Sequence, residues 1–210
     1  MIRIIIADDH PIVRAGLRRI VEAEGRMKVV AEAVSGNELL ELARTVVADV
    51  ALVDISMPGP DFTELLRRLK EEAPHLRPLV LSVFPEEQFG PRAFRAGAMG
   101  YLSKDQSPEQ LVTALRQVHA GRRYVSPKLA EWFATRLDHD YKATPIELLS
   151  TREHQVLRLL GAGLSVKDIA TRLSLSPKTV STYRVRVLEK LGLNSTSDLV
   201  RFSVQHGLSD

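Results

Sequence analysis

The chain has 210 residues, of which 44% are hydrophobic and 26% charged, so it is expected to bury a core and not to be disordered or collagen-like. It has no cysteine, which excludes disulfides and thiolate metal sites and fits a reducing compartment, and it has no apolar run long enough for a membrane helix. The net charge of +3 divides into −1 for residues 1–122 (16 basic, 17 acidic) and +4 for residues 123–210 (13 basic, 9 acidic), which predicts different partners for the two halves.

The first 120 residues alternate short apolar runs with amphipathic stretches. The apolar runs predict five strands, at Ile2–Ala7, Val29–Ala33, Val50–Asp54, Leu79–Phe84 and Gly100–Ser103. The amphipathic stretches predict helices at Pro11–Glu24, Ser35–Thr45, Asp61–Ala73, Glu86–Ala96 and Ser107–Ala120. Such alternation is typical of an α/β fold with a parallel sheet covered on both faces, and right-handed crossovers favour the flavodoxin-like strand order 2-1-3-4-5.

The fourth of these helices contains a break signal, Gly90-Pro91. Proline is tolerated in a helix mainly in the first turn, because further along it removes a backbone hydrogen bond and clashes with the preceding turn. We therefore expect this helix to start late or to be distorted.

After Gly121 the alternation stops, and the rest of the chain is predicted to be helical. One helix covers Pro127–Leu137, and residues 138–145 lack an apolar period and are predicted to be a linker. A small all-α domain follows, in which Ser150 and Glu153 form a capping box. Its helices are predicted from Ser150 to Gly161, at Val166–Leu173, from Ser176-Pro177 to Leu191, and at Thr196–His206 before Gly207.

Carboxylates follow two strands that are neighbours in the predicted order. Asp8 and Asp9 end the first strand, and Asp54 ends the third, at the switch point where open α/β sheets bind ligands. Three converging carboxylates need a cation, and hard oxygen ligands at a small anionic site favour Mg²⁺. A single acidic residue after a strand could equally well cap the following helix, as we expect for Asp61. Caps alone do not explain the whole set of polar residues at these strand ends.

Two more polar residues lie at the same edge of the predicted sheet. Ser82 is near the end of the fourth strand and would supply a hydroxyl donor, while Lys104 follows the fifth and would supply the positive charge that a phosphoryl group needs. Since a carboxylate can itself act as a nucleophile, the site fits an aspartyl-phosphate. His10 is expected to be a helix-start residue rather than a metal ligand.

The helical end of the chain has the order of a helix-turn-helix, with Lys178–Leu191 as the recognition helix. At about 100° per residue, Val180, Val187 and Leu191 share one direction with Tyr183 nearby and should face the core. The opposite side is predicted to read base edges through Lys178, Ser181, Thr182 and Val185, and Thr179 is also predicted to contact the DNA. The residues predicted to contact phosphates are Arg184, Arg186 and Lys167, of which Arg184 lies near the core flank.

Two resemblances support these readings. The segments IIIADDHPIVRAGL, ALVDISMPG, LVLSVF and AGAMGYLSKD resemble the receiver domain of two-component response regulators. The segment LSTREHQVLRLLGAGLSVKDIATRLSLSPKTVSTYRVRVLEKLGL resembles the LuxR-type DNA-binding module, and the combination is typical of the NarL/FixJ class, with details similar to its GacA/UvrY subgroup. The domain limits implied are a receiver at 1–122, a helix and linker at 123–147, and the DNA-binding domain at 148–210.

The receiver resemblance implies a role for each residue of the site. Asp54 would be the phosphoacceptor and Lys104 the family's lysine, with Ser82 and Tyr101 as the switch pair, Tyr101 repacking inward on phosphorylation. The resemblance implies that Mg²⁺ is held by Asp9, Asp54 and the Ser56 backbone carbonyl, with Asp8 acting through water. Two departures are Phe62, where a glycine is usual, and Gly90-Pro91, which puts in doubt a dimer built on the fourth helix.

The function predicted is that of a cytoplasmic, phosphorylation-dependent transcription regulator rather than an enzyme. The first nine residues contain two carboxylates, so no secretory signal is expected. The expected partners are a sensor histidine kinase, double-stranded promoter DNA and a second copy of the chain, with no membrane. We expect the receivers to pair through Ile12–Val21 and Leu111–His119.

Two rival functions remain at this point. One is a phosphatase or phosphotransferase that uses the same carboxylates, which would need a substrate pocket beyond the crevice. The other is a phosphorylation-independent DNA-binding regulator with a degenerate receiver, against which the intact set of Asp8, Asp9, Asp54, Ser82 and Lys104 argues. A further open point is Phe84, which either excludes water from the phosphoryl group or packs against the fourth helix.

Overall fold

The computed structural model describes residues 1–137, 145–206 and 208, and the chain divides into two compact units, residues 1–141 and 142–210. The first unit is built on a parallel sheet of five strands in the order β2-β1-β3-β4-β5, which confirms the predicted topology. The strands are β1 (Ile2–Ala7), β2 (Met27–Ala33), β3 (Val50–Asp54), β4 (Arg77–Ser82) and β5 (Gly100–Ser103). Their central residues are buried on both faces, as a parallel sheet covered by helices requires.

Helices cover both faces of this sheet. The helices that connect and follow the strands are α1 (Pro11–Ala23), α2 (Gly36–Thr45), α3 (Phe62–Glu72), α4 (Glu86–Ala96) and α5 (Pro108–His119). The predicted caps are present, since Ser35 Oγ accepts a hydrogen bond from the Glu38 amide and Asp61 Oδ1 accepts one from the Thr63 amide. These two helix starts come directly before apolar runs, which is why the sequence pattern located them well.

Helix α4 departs from the prediction, because it is continuous from Glu86 to Ala96 and contains Pro91 in its interior. Both Gly90 and Pro91 are buried, and Gly90 lies against helix α6 (Pro127–Leu137). A Cβ on Gly90 would lie 2.8 Å from Leu129 Cδ2, so the glycine leaves the space that α6 occupies. The apolar contact with α6 thus offsets the free energy lost with the backbone hydrogen bond that the proline removes.

The second unit is all-helical. A 3-10 turn at Pro145–Leu148 precedes α7 (Thr151–Gly161), α8 (Val166–Arg172), α9 (Pro177–Leu191) and α10 (Thr196–Gln205). The predicted capping box is present: the Glu153 amide donates to Ser150 Oγ, and the Ser150 amide donates to Glu153 Oε2. Helices α7, α8, α9 and α10 close around one apolar core, centred on Val156, Leu157, Ile169, Val180, Val187 and Leu199.

Three predicted features lie partly or wholly outside the described residues. They are most of the predicted linker, at positions 138–144, the predicted helix stop at Gly207, and the end of the predicted DNA-binding domain, at positions 209 and 210. Within the described ranges, no helix combines the length and the apolar character that crossing a bilayer requires.

Candidate functional site

The carboxylates predicted to converge do so. Strands β1 and β3 are paired neighbours, so Asp8 and Asp9, just after β1, meet Asp54 at the end of β3. One ligand atom from each of these residues and from His10 lies within 4.8 Å of the others. Asp8 and Asp54 are buried, with 1% and 3% of their surface exposed, whereas Asp9 is partly open to solvent. The cluster is therefore a crevice with one accessible side.

Lys104 closes the inner side of this crevice. Its Nζ lies 2.6 Å from Asp8 Oδ2 and 3.3 Å from Asp54 Oδ2. Three carboxylates against one ammonium leave an excess of negative charge, before any charge on His10 is counted. Burial raises the pKa of Asp54 to about 6, an effect that Lys104 opposes and the Asp8 charge reinforces.

The donor set fits a small divalent cation. Both carboxylate oxygens of Asp54 are buried, and their neighbours in the described part of the chain are the Lys104 ammonium, 3.3 Å from Oδ2, and the Ser56 backbone, so these oxygens remain short of hydrogen-bond donors. Buried carboxylate oxygens of this kind need a cation or a donor, and Asp9 beside them offers the same hard oxygen chemistry that Mg²⁺ prefers. Asp54 and Asp9 are thus placed to hold the ion that the receiver resemblance implies.

His10 is the N-cap residue of α1, as predicted, but its ring also lies against the carboxylates. The His10 amide donates to Asp8 Oδ1 at 2.8 Å, and the ring Nδ1 lies 2.9 Å from Asp9 Oδ1. The ring is mostly exposed, at 64%, and it forms the outer rim of the site.

Ser82 and Tyr101 are both hydrogen-bonded to the backbone of Phe84. Ser82 Oγ accepts a 2.9 Å hydrogen bond from the Phe84 amide, and the Tyr101 hydroxyl donates a 3.1 Å bond to the Phe84 carbonyl. Tyr101 is fully buried, so it occupies the inward position, and this burial raises its pKa. The backbone of Phe84 therefore connects the Ser82 hydroxyl with the Tyr101 hydroxyl.

The Phe84 side chain packs against the fourth helix, which is one of the two alternatives considered from the sequence. Its ring centroid lies 4.9 Å from that of Phe89 on α4, and only 2% of the residue is exposed. Phe62, the departure from the family pattern, is buried in the same cluster, with its ring 6.1 Å from Phe89. Both phenylalanines thus serve the α3–α4 core.

Helix α9 of the second unit presents the two faces that the sequence predicts. Val180 and Val187 are fully buried, and Tyr183 and Leu191 pack against the same core. The opposite side is free of the core and is formed by Lys178, Thr182, Val185 and Arg186, all exposed, with Thr179 and Ser181 half-buried beside them. An exposed Val185, at 45%, is an apolar group on an otherwise polar surface.

Of the other residues predicted to contact DNA, Arg184 and Thr179 are restricted in position, whereas Lys167 is exposed. Arg184 is half-buried, and its Nε has no hydrogen-bond partner in the described ranges, as expected for a side chain on the core flank. Thr179 is tied to the cap, since its hydroxyl lies 2.7 Å from that of Ser176. Lys167 is exposed on α8.

Sequence reasoning missed two long-range contacts, a partly buried ion pair and a buried hydrogen bond. Lys190 Nζ lies 2.6 Å from Glu153 Oε2 and joins the end of α9 to the start of α7. Ser126 Oγ donates a 2.6 Å bond to Glu86 Oε2 and joins α6 to α4. The capping-box pattern identified Glu153, but neither partner has a local signal, because the pairs are 37 and 40 residues apart.

Comparison with known proteins agrees with this geometry. Residues 4–116 match the response regulator receiver domain, and residues 147–203 match the family of bacterial regulatory proteins of the luxR type. The chain is 39% identical to response regulator GacA of Pseudomonas aeruginosa, over 100% of this chain and 99% of GacA. It is 37% identical to response regulator UvrY of Escherichia coli K12, over 99% of this chain and 96% of UvrY.

Solved structures of response regulators are also similar to this chain. Response regulator ChrA of a heme-sensing two-component system has a TM-score of 0.54 at 36% identity and covers 99% of this chain and 98% of its own. RcsB of Salmonella enterica, bound to promoter rprA with the phosphomimetic BeF3⁻, has a TM-score of 0.64 at 30% identity over 96% of this chain and 97% of its own. Another structure holds two RcsB dimers on two parallel DNAs, with a TM-score of 0.59 at 28% identity over 96% of each chain.

Both parts of the chain are thus accounted for, the first by a receiver fold with its acidic site and the second by a LuxR-type helical module. The chain belongs to the response regulators of the NarL/FixJ class, which are phosphorylation-dependent transcription regulators of two-component systems and include GacA and UvrY.

Proposed function

We propose that Asp54 is the residue that accepts the phosphoryl group. The observation that carries this proposal is the placement of a buried carboxylate in the acidic crevice, with its Oδ2 3.3 Å from the Lys104 ammonium. The ionised Oδ of Asp54 attacks the phosphorus of a kinase phosphohistidine; a P–O bond forms, the P–N bond breaks, and the imidazole leaves with the electron pair and takes a proton from solvent. A small phosphodonor such as acetyl phosphate is expected to replace the kinase in the same step.

In this proposal Asp9, Asp54 and the Ser56 backbone carbonyl hold Mg²⁺, with Asp8 acting through water. The ion neutralises the charge of the phosphoryl oxygens when it is bound. Lys104 is close enough to Asp54 to pair with a phosphoryl oxygen, and Ser82 supplies a hydroxyl. The added charge of about −1.5 to −2 draws Lys104 and Ser82 towards the phosphoryl group, and this movement stabilises the inward position of Tyr101.

The second unit is proposed to bind promoter DNA through the exposed face of α9. Base edges would be read by Lys178, Thr179, Ser181, Thr182 and Val185, and phosphates would be contacted by Arg184, Arg186 and Lys167. Arg184 would reach a phosphate only by extending away from the core flank. What supports this assignment is that one face of α9 is free of the core and basic.

We further propose that phosphorylation promotes a homodimer through α1 and α5, within Ile12–Val21 and Leu111–His119. Ile12 supports this surface, because it is a large apolar side chain that is 87% exposed on α1. Two copies would read two half-sites, which compensates for the weak binding of one helix-turn-helix. The proposed domain limits remain 1–122, 123–147 and 148–210, although α6 shares an apolar core with the rest of the first unit.

The direct test of the acceptor is labelling followed by peptide mapping. Full-length protein is incubated with labelled acetyl phosphate, with and without Mg²⁺. We expect label on the peptide that contains Asp54, only with Mg²⁺, and none in Asp54→Asn. Label at the wild-type level in Asp54→Asn would refute the assignment, and an unaltered metal dependence in Asp9→Ala would refute the metal ligand.

A further inference from the structure

A cavity of about 980 Å³ opens in the first unit at the end of the sheet opposite to Asp54. Its lining comes from the ends of α3 and α4, the start of β4, the segment before β5, and helix α6. Strand β4 begins at the cavity with Arg77 and ends at the acidic site with Ser82, a distance of about 17 Å for six strand residues. The cavity is therefore separate from the phosphoryl site.

Aromatic rings form much of the cavity wall. Phe133 packs edge-on against Phe94, with centroids 6.3 Å apart, and against Trp132, with centroids 5.3 Å apart. Met99 and Val125 add apolar surface nearby. The volume is at the upper end of the range of about 300–1,000 Å³ found for small-molecule sites, so it is much larger than a packing defect.

The charged lining is of one sign. Lys70, Arg77, Arg95 and Arg123 line the cavity, and no Asp or Glu does so in the part of the chain that the structure describes. In that same part none of the four forms an ion pair; Arg77 instead donates to the His119 carbonyl, and the Arg123 guanidinium lies 5.9 Å from the centre of the Phe94 ring. Four cations around an apolar cavity favour an anionic occupant over a neutral or cationic one.

We propose that this cavity binds an aromatic organic anion. The anionic group lies among Lys70, Arg95 and Arg123, and the ring system packs against Phe94 and Trp132. Since α6 supplies one wall, the bound molecule contacts α4 and the last helix of the first unit together. The ligand therefore stabilises α6 in its position on α4 and gives the receiver a second input besides phosphorylation.

Trp132 is the only tryptophan of the chain, so its fluorescence reports directly on the cavity. The probe is 1-anilinonaphthalene-8-sulfonate, an aromatic anion that accepts energy from tryptophan, and its matched neutral analogue is N-phenyl-1-naphthylamine. With folded full-length protein we expect saturable quenching of Trp132 by the anion at one site per chain. The neutral analogue should bind about tenfold more weakly, which corresponds to 1.4 kcal/mol.

Two adjacent arginines provide a matched pair of variants. Arg123 lines the cavity and Arg122 does not, and both are exposed, so neither substitution should affect folding. Arg123→Gln, like Arg95→Gln, should weaken binding of the anion about tenfold, whereas Arg122→Gln should leave it unchanged. The proposal is overturned by non-saturable quenching, by equal binding of the neutral analogue, or by equal effects of Arg122→Gln and Arg123→Gln.

Discussion

The hydroxyl of Ser126 donates a 2.6 Å hydrogen bond to Oε2 of Glu86, and both side chains are buried. The same hydroxyl accepts a 3.0 Å bond from the Leu129 amide in the first turn of α6. Glu86 begins α4, two residues after Phe84, whose backbone is hydrogen-bonded to the side chains of Ser82 and Tyr101. A change at the acidic site that displaces this segment would therefore reach the start of α6 through one short chain of contacts.

Ser126→Ala tests this link through stability. The substitution leaves the buried Glu86 carboxylate and the Leu129 amide without their partner, which should lower the free energy of unfolding of the first unit by about 1–3 kcal/mol. Urea unfolding followed by Trp132 fluorescence measures it at α6 itself. As a control, Thr113→Ala removes an exposed hydroxyl on α5 and should change the same quantity by less than about 0.5 kcal/mol. Equal effects of the two substitutions would show that the buried bond is unimportant.

The position of Phe84 predicts the outcome of a phosphoryl-lifetime measurement. Because its ring packs on Phe89 of α4, it does not cover the phosphoryl position on Asp54. Phe84→Leu, which keeps an apolar group of similar size, should therefore leave the half-life of the aspartyl-phosphate unchanged. Release of labelled phosphate from purified phosphoprotein gives this half-life. A clearly shorter half-life would restore the role in water exclusion that the sequence also allowed.

Much of the first unit could be predicted because its signals are local. Apolar runs, caps and strand-end carboxylates are all read within a few residues, and the parallel sheet follows from their alternation. The starts of β2 and β4 were placed two residues late, since they are set by pairing across the sheet: Met27 pairs with Ile2, and Arg77 pairs with Val50. The end of β4 was placed too far along, because the Phe84 amide turns back to Ser82 Oγ.

The fourth helix was predicted with its observed bounds, Glu86–Ala96, but its continuity through Pro91 could not be predicted, for a related reason. Pro91 is a local signal for a break, but the packing that overrides it comes from Leu129, 38 residues further along the chain. The same holds for the site, where the pattern identified Asp54 and Lys104 but could not show that Asp8 takes the shorter contact with the lysine. Tertiary contacts decide such details, and a local pattern does not contain them.

His154 predicts how the stability of the second unit depends on pH. Burial, with a smaller contribution from Arg158, lowers its pKa from 6.5 to about 4. As pH falls from 6.5 towards 4, the unfolded chain takes up a proton that the folded unit does not, so stability is lost across this window. The total is about 3 kcal/mol, from about 2.5 pKa units at 1.36 kcal/mol each.

Urea unfolding at pH 7 and pH 4.5, followed by methyl NMR signals of Val156 and Val187, measures this loss at the core of the second unit. His154→Gln should remove most of the difference between the two pH values. His206→Gln is the matched control, because His206 is exposed and should leave the difference as in the wild type. A wild-type difference retained in His154→Gln would contradict the assignment.

The exposed face of α9 predicts two classes of variant. Lys178→Ala and Thr182→Ala should each cost about 1–3 kcal/mol on a preferred duplex and little on random DNA. Arg186→Ala should weaken binding to both and reduce the salt dependence by about one unit of slope. Fluorescence anisotropy with a duplex obtained by in vitro selection, at several salt concentrations, separates the classes. An unchanged ratio of specific to non-specific affinity in both Lys178→Ala and Thr182→Ala would exclude α9 as the reader.

If the phosphorylation state of Asp54 controls DNA binding, acetyl phosphate must act on affinity through this residue alone. The affinity of full-length wild type and of Asp54→Asn for the selected duplex is measured with Mg²⁺, with and without acetyl phosphate. We expect acetyl phosphate to raise the affinity of the wild type and to leave that of Asp54→Asn unchanged. Equal wild-type affinity in the two conditions, with phosphorylation verified by mass, would contradict it and would favour a phosphorylation-independent DNA-binding protein.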